Sequence, residues 1–258
     1  MALVKSRGLV LRSLRLGETS KVAVCYTEAY GRVRLLAKGG RKAGSRFGAA
    51  LEPFVVSGVV FYMKPGRDLS LVSQAEIERD FPALRHDVVR MAYGGAILEL
   101  TDSLVSEQEP DPALFAVVEG ALADADSADA SALDGVVWRF AFRLARSLGY
   151  DPALDACVLC GREPGKGALF APRLGGLACA ACCSQHPEVE VARREATARV
   201  VSAAAGSAAT APAGAVLADE VWDTLRAFLE EHSGRRLPLR SLGVLAQLRR
   251  AEHRAGAA

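Results

Sequence analysis

Five of the six cysteines of this 258-residue chain fall within 27 residues. They read Cys157-Val-Leu-Cys160, then 18 residues, then Cys179-Ala-Ala-Cys182-Cys183. Two Cys-x-x-Cys pairs at this separation have the spacing of a four-thiolate zinc site. Each pair aims two sulfurs at one point, and two pairs complete a tetrahedron around Zn²⁺. The segment between them reads as turns (Gly161-Arg-Glu-Pro-Gly-Lys-Gly and Pro172-Arg-Leu-Gly-Gly) around one or two short strands at Ala168-Leu-Phe-Ala. The expected ligands of one structural zinc are Cys157, Cys160, Cys179 and Cys182. Cys183 competes with Cys182, which is preferred because it keeps the two-residue gap. Four thiolates leave the metal no open position, so the site is expected to hold shape rather than catalyse. A redox dithiol or chance clustering is the alternative. A compact box of cysteines, unlike a distributed disulfide framework, suits a reducing cytosol.

The N-terminal end is a separate chemical texture. Residues 1–50 hold eleven Lys or Arg and two acids, while the whole chain is only +2, so the remainder is net acidic. A basic head on an acidic body points to a polyanion-binding head. That head reads as β. Strands are expected over Gly8–Leu16, Lys21–Thr27, Gly31–Lys38, Glu52–Met63 and Leu69–Ile77, with a turn at Lys64-Pro-Gly-Arg67. Pro53 belongs at a strand start, where no ladder donor is needed. In the third strand, alternation puts Arg32 and Arg34 on one face, Val33 and Leu35 on the other. Five strands in about 80 residues suggest a small closed barrel such as an OB-fold. The third and fourth strands are joined by the basic, Gly-rich Lys38-Gly-Gly-Arg-Lys-Ala-Gly-Ser-Arg-Phe-Gly. A flexible basic loop can follow a phosphate backbone and an aromatic can stack on a base. A hinge with incidental charge is the bland reading, and Phe47 suits the core as well as a stacking platform.

Beyond Asp80 the apolar spacing turns helical. Helices are expected over Phe81–Ser106, Ala113–Ala123, Asp134–Leu148, Val189–Val201, Leu217–His232 and Ser241–His253. The Gly94-Gly95 pair marks close packing or a break, Asp124 to Asp129 an exposed loop, and the Ala-rich 202–215 part helix, part loop. The expected architecture is multidomain α+β. It has an N-terminal OB-fold barrel (1–80), an all-α domain in two parts (81–156 and 187–258) and an inserted four-cysteine zinc ribbon (157–186). Half the residues are hydrophobic, enough for a sizeable core. The N-terminus is basic with no long apolar run, and no window suits a membrane span. No nucleotide-binding, esterase or metalloprotease motif accompanies the four histidines, so no enzyme is expected. His186 reads as a solvated neighbour of the cysteine box and Cys25 as an inert core thiol.

The order of these parts resembles the RecO family of bacterial recombination mediators. Three stretches carry the resemblance: Lys38-Gly-Gly-Arg-Lys through Ser45-Arg-Phe-Gly-Ala-Ala-Leu-Glu-Pro-Phe54, the cysteine box, and Pro238-Leu-Arg-Ser-Leu-Gly-Val-Leu. The Ala-rich 202–215 and the extra Cys183 depart from it. The resemblance implies a cytoplasmic, nucleoid-associated protein that binds single- and double-stranded DNA and anneals complementary strands. It also implies work with RecR to load RecA on DNA coated by single-strand-binding protein. The residues expected to meet phosphates are Lys38, Arg41, Lys42 and Arg46 in the loop, with Arg32 and Arg34 on the adjoining strand. The rival is a zinc-ribbon interaction or assembly module that does not bind DNA.

Overall fold

The computed structural model describes residues 2–63, 66, 68–105, 109–206 and 215–255. The turn at Lys64–Arg67 and the Ala-rich segment each fall partly outside these residues. No described helix is long and apolar enough to cross a membrane. The chain forms two compact units, Met1–Ser127 and Ala128–Ala258.

In the first unit, strands β1 (Ala2–Leu16), β2 (Ser20–Thr27), β3 (Gly31–Ala37), β4 (Val55–Met63) and β5 (Leu69–Asp80) close a barrel in the order β1-β2-β3-β5-β4. The β3–β5 pair is parallel and the others are antiparallel. This is the five-stranded OB-type barrel expected from the strand spacing. β1 begins six residues before the expected Gly8, because its first half pairs with β4 and its second half with β2. A bulge between Val10 and Arg12 bends it from one partner to the other. Alternation sends Ala23, Cys25, Leu35, Ala37, Val59, Phe61 and Val72 inward. The barrel is completed by the chain between β3 and β4: Phe47, Ala50 and Leu51 are buried in the same cluster. Phe47, 2% exposed, is therefore core rather than a stacking platform.

The apolar run expected as one helix from Phe81 is two, α1 (Pro82–His86) and α2 (Val88–Leu104). Asp87 separates them in extended conformation and caps α2, its carboxylate accepting from the Val89 and Arg90 N–H groups at 2.8 and 3.1 Å. Gly94 marks close packing: a Cβ there would lie 2.8 Å from Phe54 Cε1 and 3.2 Å from both Leu84 methyls. Phe54 itself holds φ +65, a left-handed conformation unusual for a bulky side chain. Helix α3 (Pro112–Ser127) runs on through Asp124 and Asp126, where a loop was expected. Tertiary partners extend it. Asp126 accepts from the Leu84 N–H at 2.9 Å, and Arg90 donates to the carbonyls of Ala125 and Asp126.

Ion pairs join these helices to the strands. Arg7 of β1 donates twice to Glu119 of α3, at 2.9 Å each, and Arg79 of β5 reaches the same carboxylate at 3.1 Å. Asp102 of α2 takes Arg12 and Arg32, both at 2.7 Å.

The second unit holds α4 (Leu133–Ser147), the hairpin β6 (Leu169–Ala171) and β7 (Gly176–Ala178), α5 (Ala180–Gln185), α6 (Glu195–Ala205), α7 (Ala215–Ser233) and α8 (Arg240–Ala255). An aromatic row connects them. Trp138 of α4 meets Trp222 of α7 at 6.2 Å, and Phe142 and Phe170 each lie 5.9 Å from Phe228. Helix α6 starts later than the expected Val189, because the preceding chain serves the hairpin: the Ala192 N–H donates to the Phe170 carbonyl at 2.7 Å.

Gly94→Ala is predicted to lower stability by about 1–3 kcal/mol, since overpacking outweighs alanine's roughly 1 kcal/mol helix preference. A fall in melting temperature with unchanged far-UV circular dichroism is the expected reading.

Candidate metal centre and nucleic-acid interface

The hairpin β6–β7 and the chain before it fold the two cysteine pairs against each other. After the first pair, Gly161 at φ +72 turns the backbone back. Its N–H donates to the Cys157 carbonyl at 2.8 Å, and the Cys157 N–H donates to the Arg162 carbonyl at 2.7 Å. In the second pair, Cys179 stands just before α5 and Cys182 lies in its first turn. The Cys179 N–H reaches Cys157 Sγ at 3.3 Å. All four sulfurs, of Cys157, Cys160, Cys179 and Cys182, lie within 4.8 Å of one another, with Cys160 and Cys179 at 3.9 Å. A tetrahedral metal with bonds of about 2.3 Å needs sulfurs about 3.8 Å apart, so the set fits a closed four-thiolate site. Cys183 stands outside it, its Sγ 3.7 Å from the Ala178 carbonyl. His186 pairs with Glu188 at 3.1 Å.

The four thiols differ electrically. Burial opposes ionisation of Cys157, but N–H groups of Cys179, Leu159 and Cys160 hold its thiol down at about 6. Backbone and side chain of Arg162 lower Cys160. Cys182, hydrogen-bonded to the sulfurs of Cys179 and Cys160, is pushed up to about 12. A divalent cation held by these four residues would offset that penalty and favour all four thiolates. Cys25 is a different kind of thiol. Burial in the barrel pushes it up to about 12, with Lys21 opposing.

The six basic residues expected at a DNA surface are placed unequally. Lys38, Arg41, Lys42 and Arg46 are exposed on the loop between β3 and β4, and Arg34 is exposed on β3. Arg32 is largely covered, its side chain 15% exposed and paired with Asp102. The loop itself is not a flexible arm. Successive turns are closed by N–H donation from Gly40, Lys42, Ser45 and Gly48 to the carbonyls three residues earlier, at 2.9–3.2 Å. Arg41 ties it to the β1–β2 turn. Its N–H donates to the Thr19 carbonyl at 2.9 Å, and its guanidinium to the carbonyls of Gly17 and Glu18. Arg46 lies over the Phe47 ring at 4.9 Å. Among the described residues, Lys38, Lys42 and Arg46 make no ion pair.

Two family models cover this arrangement: "Recombination protein O N terminal" matches residues 1–81 and "Recombination protein O C terminal" residues 85–242. The chain belongs to the RecO family. A relative from Anaeromyxobacter dehalogenans strain 2CP-C is 34% identical over 92% of this chain and 94% of its own. One from Exiguobacterium sibiricum is 33% identical over 95% and 96%. A Rubrobacter xylanophilus protein reaches 40% over 72% and 74%. All three carry the name DNA repair protein RecO. Membership in this family carries a role in DNA repair and recombination.

Within this RecO-family barrel, sequence reasoning missed Lys21. It is only 4% exposed, and its ammonium donates to the Leu51 carbonyl at 2.9 Å and to Glu52 at 2.5 Å. The signal was present: Lys21 is in phase with the inward Ala23 and Cys25.

Cys182→Ser is predicted to lose bound metal and Cys183→Ser to keep it, as read by metal analysis of the purified proteins. Cys25 is predicted to resist alkylation at pH 8 in the folded protein and to react on unfolding, which peptide mass spectrometry resolves.

Proposed function

We propose that this protein binds single- and double-stranded DNA through the basic loop of its barrel and anneals complementary strands. With RecR it helps load RecA on DNA covered by single-strand-binding protein, in the cytoplasm at the nucleoid. The observation that carries the DNA-binding step is the loop: Lys38, Lys42 and Arg46 are exposed on a hydrogen-bonded chain of turns at the barrel, with Arg34 exposed on the strand that leads into it. Arg41 presents its charge from the same loop while bonded to the β1–β2 turn. Arg32, paired with Asp102, adds positive potential more than a direct contact. The partners in loading rest on family membership alone.

The physical logic is that of a sequence-blind polyanion site. Fixed cations displace condensed counterions from phosphates, and such contacts leave strands free to slide into register. Bringing two strands together on one positive surface screens their mutual repulsion, and no bond is made or broken. The metal is proposed to be a single zinc held by Cys157, Cys160, Cys179 and Cys182. The support is the donor set, since four closely grouped thiolates from two Cys-x-x-Cys pairs suit a structural zinc. Its role is to fold the ribbon.

Charge reversal at Lys42 and Arg46 is predicted to weaken binding to an oligonucleotide at least tenfold at moderate salt. It should also flatten the dependence of log K on log salt by about 0.7 for each single-strand phosphate that is no longer neutralised. Unchanged affinity and slope would count against the loop. The rival, a zinc-ribbon interaction module, predicts no salt-dependent DNA binding by the unaltered protein.

A further inference from the structure

We propose that Lys21 is the positioning residue of the basic loop: a buried cation that does not touch DNA but sets the loop's charges in place. The inference rests on the DNA-binding reading above. An ammonium facing the interior of a barrel is costly unless it is paired. Lys21 meets that cost at the loop's exit, and its backbone and stem touch the loop's entry. At the loop's entry, its register partner across the β2–β3 ladder is Ala37, the residue just before Lys38. Gly40 packs on its stem, close enough that a Cβ there would lie 3.3 Å from Lys21 Cγ. At the loop's exit, its ammonium holds the Leu51 carbonyl and the Glu52 carboxylate. One side chain therefore joins the start and the end of the segment that carries Lys38, Arg41, Lys42 and Arg46.

The neighbouring bonds act in the same sense. The Gly39 N–H reaches Ser20 Oγ at 3.4 Å, and Ser57 Oγ donates to the Ala50 carbonyl at 2.6 Å. Strands β2 and β4 thus hold the loop from either side. Cations held in place before binding lose less conformational entropy when phosphates arrive, so the clamp raises affinity without adding a contact.

This arrangement makes a prediction opposite to simple electrostatics. Glu52 is an acid beside a proposed polyanion site, so its removal should favour DNA on charge alone. If Glu52 serves as the anchor of Lys21, Glu52→Gln loosens the loop and weakens binding. The test is fluorescence anisotropy of the full-length protein with a single-stranded oligothymidylate over a series of salt concentrations. Glu52→Gln and Lys21→Met are expected to lower affinity roughly fivefold to tenfold with an unchanged salt slope, and Lys21→Arg to recover most of that affinity. Equal or tighter binding by Glu52→Gln overturns the inference. A slope reduced by about 0.7 in Lys21→Met also overturns it, since Lys21 would then meet a phosphate itself. Should Lys21→Met lack a cooperative melt, Glu52→Gln decides alone, because Glu52 is half exposed. Absence of DNA binding by the unaltered protein removes the underlying reading as well, and that is seen before any variant is compared.

Discussion

The barrel of this protein depends on the segment that folds back into it between β3 and β4. Phe47, Ala50 and Leu51 sit in one cluster with Leu35, Val59 and Phe61 from the strands. Burying a Phe or Leu side chain contributes about 1.5–3 kcal/mol, several times the worth of a surface ion pair. The basic loop is thus anchored by its apolar residues, and its charges are carried on the outer side of a core element. Fold and charge array are one object here. The turns of residues 38–48 follow from that anchoring, because a segment fixed at Ala37 and again at Phe47 has little room to wander.

The same constraint governs the other cations of the head. Of the eleven Lys and Arg in the first 50 residues, Arg7, Arg12, Lys21 and Arg32 are committed to carboxylates within the first unit. Glu119 of α3 and Asp102 of α2 each take two arginines, which holds the helices on the strands. The charge excess of the sequence therefore overstates the surface offered to a polyanion. Much of what remains outward is concentrated around the loop and β3. Place rather than titration separates the thiols: Cys25 is buried in the barrel core, while Cys157, Cys160, Cys179 and Cys182 gather their sulfurs at one point.

What the sequence made legible is local. The cysteine spacing is a short-range constraint, so the four sulfurs could be named without knowing the fold, and Cys182 preferred to Cys183 on spacing alone. The period-two alternation of Gly31–Ala37 indicated the strand and its faces. Features set by distant partners were harder. The apolar run from Phe81 hides the break at Asp87, whose capping role depends on backbone direction. Asp124 and Asp126 look like loop residues, yet the Leu84 N–H and Arg90, some 35–42 residues away, stabilise a helix there. Phe47 could be assigned to the core only once the loop's path was known. Lys21 was visible in phase but not in partner.

Amide hydrogen exchange over residues 38–51, in free protein and with a single-stranded oligonucleotide, tests most directly whether the DNA surface is preformed. Slow exchange is expected at Arg41, Lys42, Ser45 and Gly48 without DNA, because their N–H groups already donate to carbonyls. Further slowing is expected on DNA addition, centred on the loop and β3. Random-coil exchange in the free protein, or protection by DNA confined to another surface, would rule out a preformed DNA surface on this loop.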